Sequence, residues 1–257
     1  LSLHDALPIL LDPLSNNISA VLSGGAAAQL LDGWGWIGSL TSLDYESGYW
    51  LVMNEADQLY LEGCDSPMLS GLVYDLEIGA NLVSFPDPNT ADLSMAIPDE
   101  VEGLFSAIIS EGGAAANTDI GWIGSLTSFS GGSGYWIIVD EALSFSYDLD
   151  EGFGRKDIEV YSQVLPLGYE NIVRQSSEQA FYFVDHIELL NGSIENGDWI
   201  MTYNGEVLTG IRQWDGNVID VPAMGYSDLD VKTSGYFNNG DIPAFKLLKN
   251  STGELIE

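Results

Sequence analysis

The chain has 257 residues, enough for one or two ordinary domains, and 39 Asp and Glu face only seven Lys and Arg, a formal net charge of −32. That charge repels phosphate backbones and anionic lipid, so nucleic acid is excluded as a partner. No apolar run reaches the roughly 18 residues of a membrane helix, so no membrane insertion is expected of this sequence. Every basic residue lies at or beyond Arg155; residues 1–154 hold 23 acids and no Lys or Arg. The acidity fits either adaptation to saline water or bound divalent cations, or else a solvated surface with no partner. Cys64 is the sole cysteine, which rules out an internal disulfide, and His4 and His186 are the only histidines.

Taken in chain order, residues 1–9 (LSLHDALPI) come first, followed by a stretch in which Ser15 reads as a helix cap and Ile18, Val21 and Leu22 as a helical apolar stripe stopped at Gly24-Gly25. Then comes Gly35-Trp36-Ile37-Gly38-Ser39-Leu40-Thr41-Ser42, with Ser47-Gly48-Tyr49-Trp50 after it. Both segments return 86 positions later, as Gly121 to Ser128 and Ser133 to Trp136. A repeat of this kind makes the chain a string of modules. Strands are predicted at Tyr49–Met53 and 58–61 in the first copy. In the second they are predicted at Asn81–Phe85, Tyr135–Val139 and Leu143–Tyr147. Asp99 and Glu102 resemble a capping box, with Val101, Leu104, Phe105 and Ile108 at helical spacing and Gly112-Gly113 as the stop. The counterpart of Asn81–Phe85 falls before residue 1, so copy 1 is expected to lack a strand, to carry an open edge and to be the less stable copy.

From Ser176 the pattern changes to strands alone. Candidates are 179–190, Trp199–Tyr203, Glu206–Gln213, Asn217–Val221 and 242–249. Asn204-Gly205 and Asp215-Gly216 serve as turns. The expected fold is therefore mostly β, a β-rich α+β chain. Two tandem repeats with one short helix each (10–69 and 70–150) are followed by a linker (151–175) and an antiparallel β-sandwich module (176–257).

Candidate chemistry is sparse. Gly33-Trp34-Gly35-Trp36-Ile37-Gly38 matches G-x-G-x-x-G, but two indoles fill it and Asp119 replaces the first Gly in copy 2, so a dinucleotide site is rejected. A Ser-His-Asp triad would have to use His186, which reads as a strand residue. Cys64 has no visible base to activate it. Acid pairs for glycoside hydrolysis are too numerous for one to stand out. Asp148-x-Asp150-x-Gly152 and, more weakly, Asp228-x-Asp230 open like oxygen-ligand loops, making calcium the one candidate cofactor. Trp50 and Trp136 are expected in the core. Trp34, with Ile120 in its place in copy 2, is the candidate exposed ring for binding a sugar.

Residues 1–9 resemble a translated sequencing adapter, which would start the natural protein near Leu10. NLVSFP, SAIISEGGAAA, GWIGSLTS and SGYW resemble a recurring module of large secreted proteins of marine bacteria. QAFYF, GDWIMTYNGEVLTGIRQWDG, VPAMG and GDIPAFKLLK resemble a second module of the same proteins. The resemblance implies an extracellular or cell-surface accessory segment. The expected function is non-catalytic: structural, adhesive or display, possessing as its partner an extracellular glycan or another surface module. The alternative is a carbohydrate-binding accessory module of a polymer-degrading enzyme.

Overall fold

The alternation of β-branched and small residues with Gly-containing turns builds a mostly β chain, with three short α-helices among the described residues. The structure, a computed structural model, describes residues 7–60, 72–149, 165–166, 168–169, 172–190 and 192–257. The chain divides into two units. One comprises residues 1–110 and 127–158, the other 111–126 and 159–257. Both copies thus contribute to the first unit, and a hairpin from copy 2 belongs to the second. This division differs from the sequence-based boundaries.

Copy 1 begins with α1 (Leu7–Leu11) and continues through β1 (Ile18–Ser23), β2 (Ala26–Leu31), β3 (Gly35–Gly38) and β4 (Trp50–Met53). The four strands form one antiparallel sheet in the order β3-β2-β1-β4. Leu7, Leu11, Leu14, Ile18, Val21 and Ala28 make its core. The helix expected over Ile18–Leu22 is a strand, and the reason is visible. The β1–β4 register slips between Ile18 and Ala20, a bulge that puts residues i and i+3 on one face. Ile18 and Val21 both point into the core, and their spacing imitates a helical stripe. Gly24-Gly25 is the turn of a hairpin, and residues 58–60 form no strand.

Copy 2 adds β5 (Tyr74–Leu76), β6 (Gly79–Ser84), β7 (Thr90–Asp92), α2 (Leu93–Ala96), α3 (Asp99–Glu102) and β8 (Phe105–Ser110). Its hairpin is β9 (Gly113–Thr118) and β10 (Gly121–Gly124), and β11 (Ser128–Ser130), β12 (Gly134–Val139) and β13 (Leu143–Phe145) follow. The expected capping box is the four-residue α3, whose N-cap is Pro98 with no side-chain cap bond. From Phe105 the chain is extended. The same error has the same cause: a register slip opposite Ile138/Val139 leaves Phe105 and Ile108 both buried. In each copy a serine sits at the bulge and donates across the ladder, Ser19 Oγ to Val52 O at 3.1 Å and Ser106 Oγ to Ile138 O at 3.2 Å.

In the first unit β12 is flanked by β8 and β6, whereas β4 is an edge strand among the described residues. Beneath β12 lies an aromatic core of Tyr74, Phe85, Phe105, Phe129, Tyr135, Phe145 and Tyr147. Its ring centroids are spaced about 5 Å apart, mostly edge to face. The two copies touch where Gly48 N donates to Leu82 O and Ser84 N to Glu46 O, both at 3.0 Å.

The second unit contains the β9–β10 hairpin and β14 (Gln179–Val184), β15 (Trp199–Asn204), β16 (Val207–Gln213), β17 (Ile219–Met224), β18 (Ala244–Leu248) and β19 (Leu255–Ile256). One sheet runs β16-β15-β18-β19, and β14 pairs with β17. Central β15 is buried on both faces. Trp199, Met201 and Tyr203 pack one way, with Leu165, Tyr169 and Val173 over them; Ile200 packs the other way onto Ile219 and Val221 of β17. This is sandwich-like, as expected, although β14 stops at Val184. Within the expected linker, the strand-like run at 158–164 lies outside the described residues. No helix is long and apolar enough to cross a membrane among the described residues.

Candidate functional site

The repeated residues are the first candidates, and several of them meet local backbone. Tyr49 Oη accepts from Asp44 N at 2.7 Å, and Tyr135 Oη accepts from Ser130 N at 2.7 Å. Gly38 and Gly124 have positive φ, and a Cβ at either would lie 2.1 or 2.3 Å from the carbonyl oxygen of Ala27 or Ala114. Only glycine fits there. Leu7 N donates to Thr41 O and Leu93 N to Thr127 O, both at 3.1 Å. Leu7, from the adapter-like start, is fully buried in the copy 1 core. These motifs hold backbone.

Trp50 and Trp136 are not core residues. In β12 the buried positions are Tyr135, Ile137 and Val139, and Trp136 is half-buried on the opposite face. Strand parity decides this: core-facing positions alternate, and the tryptophan follows the core-facing tyrosine. Trp50 holds the same place in β4. Trp36 is half-buried against the copy 1 core.

Trp34 stands at the β2–β3 tip with 80 % of its surface exposed, and Ile120 occupies the β9–β10 tip at 86 %. A second exposed ring pair went unnoticed in the sequence. Tyr182 of β14 and Phe245 of β18 meet edge to face at 5.4 Å. They come from strands of different sheets, far apart in the chain, so only the packing of the folded chain reveals them.

The densest polar arrangement lies inside the second unit. Asp220 of β17 is wholly buried. Its carboxylate accepts from Ala114 N at 3.1 Å, from Ser125 N, from Ser125 Oγ at 3.1 Å and from Arg212 Nη2 at 2.7 Å. Arg212 also donates Nε to Asp220 O at 2.8 Å and Nη2 to Gly112 O at 2.5 Å. Phe183, opposite Asp220 in the β14–β17 register, lays its ring edge at Gly124. An Asp–Arg pair therefore clamps both ends of the repeated Gly-Gly…Gly-Ser loop. A buried pair survives only when its remaining hydrogen-bonding capacity is filled, as it is here. Neither residue stood out in the sequence, because nothing local pairs a strand Asp with an Arg eight positions earlier across a turn.

A second acid, Asp198, is also buried. Burial alone would raise its pKa, but the Lys249 ammonium and the N–H groups of Glu195 and Asn250 outweigh that and hold it below the usual range.

Of the candidate calcium ligands, Asp148 is exposed and Asp150 lies outside the described residues. Asp228 is exposed. Asp230 accepts from Lys232 N at 2.9 Å through Oδ1 and from Arg174 Nε at 2.8 Å through Oδ2. Among the described residues no three His, Cys, Asp or Glu side chains gather where a metal ion would sit. His186 is exposed beside Asp185, and Cys64 lies outside the described residues. Compared with family models, curated proteins and solved structures, the chain matches none.

Proposed function

We propose that this chain is a non-catalytic structural, adhesive or display segment of a secreted or cell-surface multi-domain protein. The observation that carries the reading is the shared use of the repeated groups. The tyrosine hydroxyl, the bulge serine and the loop glycine of each copy serve their own backbone in the same way. The most elaborate polar cluster, around Asp220, has donors on each side and leaves neither charge for a substrate. A charge of −32 suits a saline exterior, and the module resemblance points to the same place. The test is incubation of the chain with a panel of polysaccharides and esters, where turnover of any of them refutes the reading. It assigns no cofactor; a melting temperature lowered by chelator would add calcium to it.

A second reading, carbohydrate binding, is favoured by Trp34, a flat ring held out from a hairpin tip. Aromatic faces stack on apolar sugar faces. On a glycan array this reading expects saturable binding that Trp34→Ala removes, and binding unaffected by that change sinks it.

A further inference from the structure

We infer that the copy 1 hairpin is a second docking surface of the kind that the Asp220–Arg212 clamp occupies in copy 2. Its occupant is a β-rich module of the C-terminal kind, carried on another chain and presenting an Asp paired with an Arg beside an aromatic ring. The two hairpins share their backbone contacts, although the copy 1 loop between Leu31 and Gly35 is one residue longer than the copy 2 loop between Thr118 and Gly121. Leu40 N donates to Ala27 O at 3.1 Å and Leu126 N to Ala114 O at 3.1 Å. Gly38 and Gly124 press on those same two carbonyls. Gly25 and Gly112 both turn with positive φ at the preceding tip, and the sequence from Gly35 to Ser42 is that from Gly121 to Ser128.

In copy 2 the donors are Ala114 N, Ser125 N and Ser125 Oγ, with Gly112 O as acceptor. Their equivalents are Ala27 N, Ser39 N, Ser39 Oγ and Gly25 O. Among the described residues Ala27 N reaches only Ser39 Oγ, at a long 3.4 Å, and Ser39 N has no partner. Gly25 and Gly38 are exposed where Gly112 and Gly124 are half-buried, while Ser39 and Ser125 are both exposed. So is Ile37, at 47 %, next to Leu31 and Trp34, whereas the equivalent Ile123 is half-buried. Exposed apolar side chains beside the free Ser39 N–H and the weakly bonded Ala27 N–H are the rim and anchor pattern of a strand-docking surface. Charge supplies the direction. Copy 1 lies in the stretch without a single Lys or Arg, so a guanidinium must come from elsewhere.

The test follows amide signals of isotope-labelled wild-type chain. The donor is unlabelled chain carrying Gly124→Val, which pushes its own hairpin off Phe183 and frees its Asp220 and Arg212. Saturable shifts of Ser39 and Ala27 are expected. Asp220→Ala in the donor should weaken them roughly thirtyfold or more, and Gly38→Val in the acceptor should abolish them. No shift at millimolar donor, or shifts that survive Asp220→Ala, overturn the inference. Should the donor fail to fold, wild-type chain alone decides. Ser39 N–H exchanging about a hundredfold or more faster than Ser125 N–H supports a vacant site; equal exchange overturns it. Wild-type dimers abolished by Gly38→Val would make the occupant a second copy and overturn the partner named here.

Discussion

Copy 1 fills its interior with Leu7, Leu11, Leu14, Ile18 and Val21, while copy 2 fills the corresponding space with Tyr74, Phe85, Phe105, Phe129 and Tyr147. Phe129 stands where copy 1 has Leu43, and Phe105 where it has Ile18. Yet the glycines, the bulge serines and the tyrosine hydroxyls keep their partners in both. The lesson is that the identical residues define the backbone path, and the differing residues define what each copy packs against. The hairpins sharpen this. Ser39 and Ser125 are the same residue in the same loop, but only Ser125 meets a buried carboxylate.

The largest difference between the copies should follow from that carboxylate. Asp220→Ala strands the Arg212 guanidinium in a buried place and unpairs three donors of the copy 2 loop. A loss of about 3–5 kcal/mol from the second unit is expected in denaturant melts. Ser39→Ala, at the exposed counterpart of Ser125, should stay within about 0.5 kcal/mol. Similar losses at both would mean that the loops are not distinguished by the clamp.

Next come the cores. Phe129→Ala removes a fully buried ring with three aromatic neighbours that are close enough to stack, at a cost of about 3–5 kcal/mol. Leu43→Ala, half-buried at the same position, should cost less than about 2 kcal/mol. Amide exchange along β12 and β4 reads the two separately. Gly38→Ala and Gly124→Ala each put a Cβ into a backbone carbonyl at positive φ and should each cost roughly 1–3 kcal/mol. Gly124→Ala should be the costlier, because its Cβ also meets the Phe183 ring at 3.1 Å; equal costs would mean that Phe183 and the clamp do not hold the copy 2 loop.

Much of this was legible beforehand, and the failures have one physical source. The repeat, the mostly β class, the Asn204-Gly205 hairpin and the exposure of Trp34 are all local signals. A turn, a motif or a charge run is written in adjacent residues. Ile18–Val21 and Phe105–Ile108 were misread as helix because a bulge changes strand parity, and the evidence for a bulge lies in the partner strand. Trp50 and Trp136 were misplaced because Tyr49 and Tyr135, one position earlier, hold the inward parity. The Asp220–Arg212 clamp joins residues about a hundred positions apart in the chain to Gly112 and Ser125, and no periodicity reports such a pairing. Among the described residues β12 has two strand neighbours where β4 ends its sheet.

The smallest effect tests the aromatic core of copy 2 by its ionisation. Among the described residues Tyr147 Oη is buried without a hydrogen-bond partner, and burial pushes its pKa well above the ordinary value, with Tyr74 and Tyr135 adding to the rise. Burial likewise pushes Tyr74 up to about 12, partly relieved by Ser84. A phenol whose pKa is raised by folding contributes stability that is complete below the unfolded value near 10 and is lost as pH climbs through the folded value. For Tyr74 that window runs from about pH 10 to pH 12. Copy 2 should therefore open in alkali before copy 1, whose core cluster is built from aliphatic residues. Tyr147→Phe removes the unpaired hydroxyl and keeps the ring contacts with Tyr74, Phe85, Phe129 and Phe145. Near neutral pH it should be neutral or stabilising by up to about 1 kcal/mol, and above pH 10 the gain should widen because one titrating group is gone. A loss of more than about 1 kcal/mol at neutral pH would mean that the hydroxyl has a partner, such as a buried water, and that the core of copy 2 is wetter than its ring packing implies.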